Sequence, residues 1–258
     1  MENSTAEPSF DWTDWQSTPE YPKVLFPGEK RWKALQPWLE QNGSLLRPRY
    51  MPDWKPSWTD LISEVFAEDA CISMQSSIID ATRSADGKLV ALKRVVASVH
   101  PYEMEISRYF SNEPMESHPR NHCIPLLDVL EVPDHIDPEH TFILVVPFLR
   151  PFQDPRMKSI GEAVEFIRQI FEGMQFMHSC NVAHRFDAMD LNIMMDPNPT
   201  YPNMFHPVAM SKNRNFKGKA KHFTRTARPT KYYFIDFGLS RQYNPDDGPP
   251  LEYPIFGG

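Results

Sequence analysis

Two short stretches of the chain carry residue types that could transfer a phosphoryl group. The first, residues 184–192, places Asp187 five residues before Asn192, and the second is Asp236-Phe237-Gly238, which follows an apolar run. Phosphoryl transfer needs a positioned triphosphate, metal ions held against it and an acceptor hydroxyl in line with it. Asp187 would accept the hydroxyl proton. Asn192 and Asp236 would supply the hard oxygen ligands that Mg²⁺ prefers.

An earlier motif offers a cation for the phosphates. Lys93 ends the strand-like run Val-Ala-Leu-Lys, and an ammonium on a strand can reach the α- and β-phosphates as a compact point charge. Such a Lys needs a carboxylate to hold it, for which the following helix offers Glu105 or, as the less favoured alternative, Glu103. An ordinary strand-end Lys would look the same, but the order of the three motifs favours the phosphate role. The predicted catalytic residues are therefore Lys93, Glu105 and Asp187.

The elements that must position these residues are predicted from hydrophobic periodicity. A helix over residues 102–111 follows the second strand of a small sheet. A long helix over 160–179 keeps its apolar residues on one stripe, and Ser159 with Glu162 predicts a capping box at its start. The predicted strands cover residues 77–81, 89–96, 123–132 and 141–146. This pattern predicts a domain over 59–258, with its first part at about 59–150 and its second at 151–258.

Two segments depart from the periodic pattern. Residues 1–58 contain all six Trp residues and many Pro, which predicts an extension that packs along the domain surface, with a short helix over 32–41. Residues 197–231 contain eight Lys and Arg and no acidic residue, which predicts a disordered surface insert. Charge runs are usually solvated and no stacking platform is evident, so nucleic-acid binding by this insert is disfavoured.

Bulk properties narrow the class of protein. The net charge of −7 predicts no general attraction to nucleic acid or to anionic membranes. Three scattered Cys residues argue against a disulfide framework and fit a reducing compartment. No apolar run approaches the roughly 18–20 residues needed to span a membrane. We therefore expect an intracellular protein with no membrane partner, in the cytoplasm, with the nucleus left open. The spacing of His178, Cys180 and His184 fits no usual zinc frame.

With these motifs in order, the chain resembles the protein kinase superfamily from about residue 64 onward. More narrowly, it resembles a group of fungal protein-kinase-like proteins, through residues 47–50, 56–58, 80–83 and 192–196. The resemblance implies an α+β, two-lobed fold whose N-lobe is an antiparallel sheet with one helix and whose C-lobe is helical.

The resemblance also implies a nucleotide site. ATP and Mg²⁺ would occupy the cleft, and the γ-phosphate would go to a Ser or Thr hydroxyl of a protein. Lys93 and Asp236 would contact the nucleotide. The Pro147 carbonyl and the Leu149 N–H would face the adenine, because proline lacks an N–H but keeps its carbonyl.

Four departures from the family pattern bear on activity. Counting back from Lys93, the glycine positions of the phosphate-covering loop fall on Cys71, Ser73 and Ser76. Side chains there limit how closely the backbone can approach a phosphate, so nucleotide affinity should suffer. Phe186 is inserted before Asp187, which requires a bulge, and Met189 stands where a Lys would face the transferred phosphate.

The fourth departure concerns the C-lobe. The chain ends at Gly258, inside what the resemblance makes the activation segment. We therefore expect an incomplete C-lobe, exposure of part of the apolar stripe on helix 160–179, and aggregation or a partner that covers the stripe.

Several functions stay open at this point. The leading interpretation is an ATP-dependent Ser/Thr protein kinase. The second is a catalytically weak or inactive pseudokinase acting as a scaffold, or a truncated gene fragment. A third is a small-molecule phosphotransferase of the aminoglycoside-kinase type, which the Val-Ala-Leu-Lys strand and Asp236-Phe237-Gly238 disfavour. RNA binding by the basic insert could accompany any of these.

Overall fold

The computed structural model describes residues 23–73, 75–185 and 190–248 and shows a mixed α+β structure. Its helices are α1 (Pro27–Gln41), α2 (Leu61–Val65), α3 (Glu103–Ser111) and α4 (Ile160–Ser179). Its strands are β1 (Ser44–Leu45), β2 (Ile78–Arg83), β3 (Leu89–Val96), β4 (Asp128–Glu131), β5 (Thr141–Pro147), β6 (Arg150–Pro151), β7 (Val182–Ala183), β8 (Ile193–Met195), β9 (Tyr232–Phe234) and β10 (Arg241–Gln242). Among the described helices, none is both long enough and apolar enough to cross a bilayer.

Five antiparallel strands form the larger sheet in the order β1-β2-β3-β5-β4. β3 is central, and its Lys93 pairs with Ile78 on one side and Leu144 on the other. The predicted strand over 123–132 is shorter than expected, since only Asp128–Glu131 joins the sheet. Pro125 lies in the missing part, where a residue without an N–H cannot donate to a ladder.

The described part of the N-terminal segment, from residue 23 onward, contributes to the core of the larger sheet. Trp32 and Leu39 of α1 are buried in the same cluster as Leu92 of β3, and β1 pairs with the edge of β2. α1 begins at Pro27, five residues earlier than predicted, where the Phe26 N–H donates to the Glu29 carboxylate at 3.0 Å.

α4 packs on the three-stranded sheet β6-β8-β9. A Cβ at Gly173 would lie 2.7 Å from His122 Cβ and 2.8 Å from Phe234 Cε2, so only glycine allows this close approach. Half of the predicted capping box forms: Ser159 Oγ accepts the Glu162 N–H at 3.2 Å, whereas the Glu162 carboxylate accepts the Lys158 N–H at 2.6 Å and not that of Ser159. The opposite face of α4 is exposed as predicted, and its apolar residues are Ile160, Val164, Ile167 and Phe171.

The prediction of disorder for residues 197–231 is wrong. Tyr201 and Phe205 are buried, and the Arg150 guanidinium lies over their rings at 4.5 and 4.2 Å from the centroids. His206 bonds Glu68 at 3.0 Å, and Arg214 donates to Thr82 Oγ1 at 3.2 Å. The segment is thus anchored by isolated aromatic and polar contacts to distant parts of the chain, which apolar periodicity does not detect.

Candidate functional site

Lys93 lies where three elements meet. Its Nζ donates to Oε1 of Glu103, the first residue of α3, and to Oδ1 of Asp236 at 2.7 Å. Asp236 comes two residues after the end of β9. The structure therefore joins a strand lysine to one carboxylate from a helix and one from a loop. These three residues are called the Lys93 cluster below.

The three side chains of the Lys93 cluster differ in their exposure to solvent. The Glu103 side chain is 2% exposed, that of Lys93 19% and that of Asp236 52%. Burial alone would lower the pKa of Lys93, but the carboxylates of Glu103 and Asp236 raise it above its ordinary value. Burial alone would raise the pKa of Asp236, but the Lys93 ammonium holds it below its ordinary value. Both groups are consequently charged at neutral pH.

The partner of Lys93 on α3 is Glu103 and not Glu105, which corrects the sequence-based choice. α3 buries one stripe, formed by Glu103, Ile106, Ser107 and Phe110. Glu105 lies two residues from Glu103, about 200° around the helix, and is exposed. It makes no hydrogen bond or ion pair with any described residue. The spacing of Ile106 and Phe110 is the signal that could have placed Glu103 on the buried side.

The two predicted magnesium ligands lie at the same end of the β8–β9 pair. Ile193 pairs with Phe234, and the Ile235 N–H donates to the Asn192 carbonyl at 3.0 Å, so Asn192 and Asp236 flank the same end of the β8–β9 pair. Within the described residues, no group of three or more His, Cys, Asp or Glu side chains could hold a metal by itself. A metal between Asn192 and Asp236 would therefore need phosphate oxygens or water as further ligands.

Asp236 has an uncommon backbone conformation. Its φ of 67° lies in the left-handed region, which is uncommon for a residue other than glycine. Its Oδ1 accepts from Lys93 and, at 3.4 Å, from the Gly238 N–H. Oδ2 makes no hydrogen bond to a described residue. The carboxylate thus keeps one oxygen for a cation on its exposed side, and this fits a metal-bound phosphate.

His184 packs against the segment that carries Asp236 and contacts its backbone. The sequence did not reveal this role. His184 is fully buried, and its Nε2 lies 2.9 Å from the Ile235 carbonyl. A carbonyl accepts only, so Nε2 carries the proton. The His184 ring lies 5.1 Å from that of Phe237. Asp187, the predicted proton acceptor, lies outside the described residues, as do Phe186 and Met189.

The residues predicted to face the adenine lie further along the same sheet. Pro147 ends β5, three residues beyond Leu144, the cross-strand partner of Lys93. At 3.2–3.4 Å per residue this is about 10 Å from Lys93 along the strand. Leu149 follows and is buried in the second core, the one that contains Phe237. Pro147 therefore shares a sheet with Lys93, Leu149 lies beyond the end of that sheet, and adenine contacts remain a prediction.

The positions that would need glycine for phosphate binding are held by the N-terminal segment. Arg47 Nη1 donates to the Cys71 carbonyl at 2.9 Å, and Trp32 Nε1 donates to the Ser76 carbonyl at 3.0 Å. A Cβ at Gly28 would lie 2.9 Å from Ser76, so the two segments are in close contact. Backbone carbonyls in this region are thus already committed to other parts of the protein.

A scan against models of known protein families finds no match to this chain, and a search of curated proteins also finds none. The geometry of the Lys93 cluster is therefore the main basis for a function.

Proposed function

We propose that the chain is a protein-kinase-like protein that binds Mg-ATP and transfers the γ-phosphate to a Ser or Thr hydroxyl of a protein. The observation that carries this proposal is the contact of Lys93 with both Glu103 and Asp236. Protein kinases require a strand lysine held by a helix glutamate and an aspartate placed for the metal ion. The five-stranded sheet with α3 would form the N-lobe, and α4 with β6–β10 would form part of the C-lobe.

Each residue would then have a defined task. Lys93 would bind the α- and β-phosphates, and Glu103 would hold its ammonium in place. Asp236 and Asn192 would hold Mg²⁺, which when bound neutralises charge on the phosphates. Asp187 would accept the hydroxyl proton, and the backbone of Pro147 and Leu149 would contact the adenine. The described cysteines are all free, which is compatible with the cytoplasmic location that we propose.

A second candidate is a nucleotide-binding scaffold without turnover. It is favoured by the region of Cys71 and Ser76, which lacks the glycines of a phosphate-covering loop and is fixed by Arg47 and Trp32. A covering loop that cannot approach the phosphates would weaken both affinity and alignment. Binding without transfer is the property that separates this candidate from the first.

The test is a thermal-shift titration of the full chain with Mg-ATP, followed by a phosphate-transfer assay on a Ser/Thr peptide library. A ligand that binds the native state must raise the melting temperature by mass action. We expect a shift in the parent that Lys93→Ala and Asp236→Ala both abolish, and that the surface control Lys88→Ala keeps. Transfer with the same dependence supports the kinase, whereas a shift without transfer supports the scaffold. A cooperative melt with no shift at millimolar Mg-ATP rejects both.

A further inference from the structure

A small hairpin lies inside the basic 197–231 segment. Backbone hydrogen bonds from Asn213 N to Gly218 O at 3.1 Å and from Ala220 N to Ser211 O at 2.9 Å close it. With Lys221, which follows directly, residues 211–221 are called the basic hairpin below. These bonds fix the backbone positions from which the lysine side chains of the hairpin project.

Like charges face each other in the basic hairpin. Lys212 and Lys219 form a direct antiparallel bridge, an arrangement that destabilises a strand pair when both residues are cations. The Lys212 ammonium lies over the Phe216 ring, 3.5 Å from its centroid, which offsets part of the cost. No Lys or Arg of the whole 197–231 segment forms an ion pair with a described Asp or Glu. An anion from outside would relieve the repulsion.

An exposed aromatic side chain, Phe223, follows the basic hairpin two residues after Lys221. Phe223 is 45% exposed, and its N–H donates to the Thr200 carbonyl at 2.9 Å, which fixes its backbone. The Arg228 guanidinium lies over the Phe223 ring at 5.2 Å from the centroid. Four cations of the segment have exposed side chains: Lys217, Lys219, Lys221 and Arg228. Phe223 and Arg228 thus form a platform on which a base could stack. Such a platform is not evident from the sequence alone, which therefore disfavours nucleic-acid binding.

We propose that this surface binds single-stranded nucleic acid, with phosphates on the exposed cations and a base stacked on Phe223. Exposed Lys residues next to an aromatic ring are the combination that binds single strands without sequence preference. An acidic peptide would satisfy the charge but would make no use of the exposed ring. The net charge of the chain is −7, so binding depends on this local surface and not on the field of the whole protein. The proposal is independent of phosphoryl transfer.

The test measures binding of the full chain to a fluorescein-labelled single-stranded 12-mer of uridine by anisotropy at 50 and 200 mM salt. Each phosphate contact with a single strand contributes about 0.7 to the salt slope, so four contacts predict an affinity loss of about 50-fold across this range. Lys219→Gln with Lys221→Gln leaves two contacts, for which the same slope predicts a loss of about sevenfold. The charge-matched control, Lys30→Gln with Lys88→Gln, should behave as the parent. Phe223→Ala should weaken binding at least fivefold, by about 1 kcal/mol or more of lost stacking, with the salt slope unchanged.

Three results would overturn the proposal. One is the absence of saturable binding at 50 mM salt with a protein that melts cooperatively. Another is a salt slope that the Lys219 and Lys221 substitutions leave unchanged. The third is displacement of the labelled RNA by a 12-residue polyglutamate as effectively as by unlabelled oligouridine, which would assign the surface to an acidic protein partner. Since all substituted side chains are exposed, thermal melts of the variants should match the parent.

Discussion

Replacing Glu103 by Gln tests whether Lys93 is held in place for phosphate binding. The substitution keeps the size of the side chain and removes its charge. Lys93 would keep only Asp236, whose carboxylate is 52% exposed and therefore screened by water. Glu105→Gln is the matched control, because it makes the same change two residues away on the exposed side of α3.

The size of the effect follows from the burial of the pair. Breaking a fully buried ion pair costs about 3–5 kcal/mol, whereas an exposed pair contributes about 0–1 kcal/mol. Glu103 is 2% exposed and Lys93 19%, but Asp236 remains as a partner, so we expect a loss of about 1–3 kcal/mol. For a chain of this size each kcal/mol corresponds to about 2–4 °C in melting temperature. Glu103→Gln should therefore melt roughly 2–12 °C below the parent, and Glu105→Gln within about 2 °C of it.

The assay pairs thermal melts with Mg-ATP titrations of both variants. If Lys93 binds phosphate, Glu103→Gln should also weaken nucleotide binding, because Lys93 would then be drawn towards Asp236. A ligand at 100 times its Kd stabilises the native state by about 2.7 kcal/mol, and part of this should be lost in Glu103→Gln only. Equal behaviour of the two variants, or a larger loss in Glu105→Gln, would refute the assignment of Glu103 to Lys93.

Three further substitutions test the packing around the site. Gly173→Ala should destabilise the protein by about 1–3 kcal/mol in urea unfolding, because the new Cβ would meet His122 and Phe234. This loss is expected although alanine has the better helix propensity. The control is Gly161→Ala, whose nearest contact would be 3.7 Å away and which should cost nothing. Arg49→Lys should cost about 2–4 kcal/mol of stability by chemical denaturation, because the buried guanidinium bonds both Glu29 oxygens, at 2.7 and 3.1 Å. The control is Arg168→Lys at an exposed position. A loss below about 0.5 kcal/mol for Arg49→Lys would contradict the prediction. Burial alone would raise the pKa of Asp69, but hydrogen bonds from Ser57 and Trp54 hold it below 3.8, so its contribution to stability is present above pH 3.8 and is lost as the pH falls below that value. Asp69→Asn should accordingly reduce the acid dependence of urea unfolding between pH 7 and pH 3, and an unchanged dependence would exclude Asp69 as its source.

The sheet and the long helix were predictable because their hydrophobic patterns are local. β2, β3 and β5 lie within two residues of the predicted strands, and α4 matches its predicted bounds and its Ser159 N-cap. That residues 197–231 are ordered could not be predicted from such patterns. The anchors of this segment are Arg150 over Tyr201 and Phe205, contacts between residues about 50 apart in sequence. Such contacts leave no periodic trace in the segment itself.

For the Lys93 cluster, the types of residue were predictable from the sequence, whereas the exact position of one carboxylate was not. Lys93 and Asp236, chosen from motif order, are brought together from residues far apart in sequence. The carboxylate of α3 was placed two residues too far along, although the apolar spacing of Ile106 and Phe110 favours Glu103. His184 could not have been assigned from the sequence, because its role depends on a hydrogen bond to the backbone of Ile235.

The remaining hydrogen-bonding capacity of the Lys93 cluster is an argument for the proposed nucleotide site over a purely structural ion pair. A lysine ammonium has three N–H donors, and among the described residues Lys93 uses them only for Glu103 and Asp236. Asp236 likewise uses only Oδ1 for described residues, and its side chain is 52% exposed. A phosphate oxygen could therefore be bound by Lys93, and a cation by Asp236, without breaking either existing contact. Because a purely structural pair gains most when all its donors and acceptors are paired inside the protein, the half-open arrangement favours a cluster preorganised for an anion and a cation bound together.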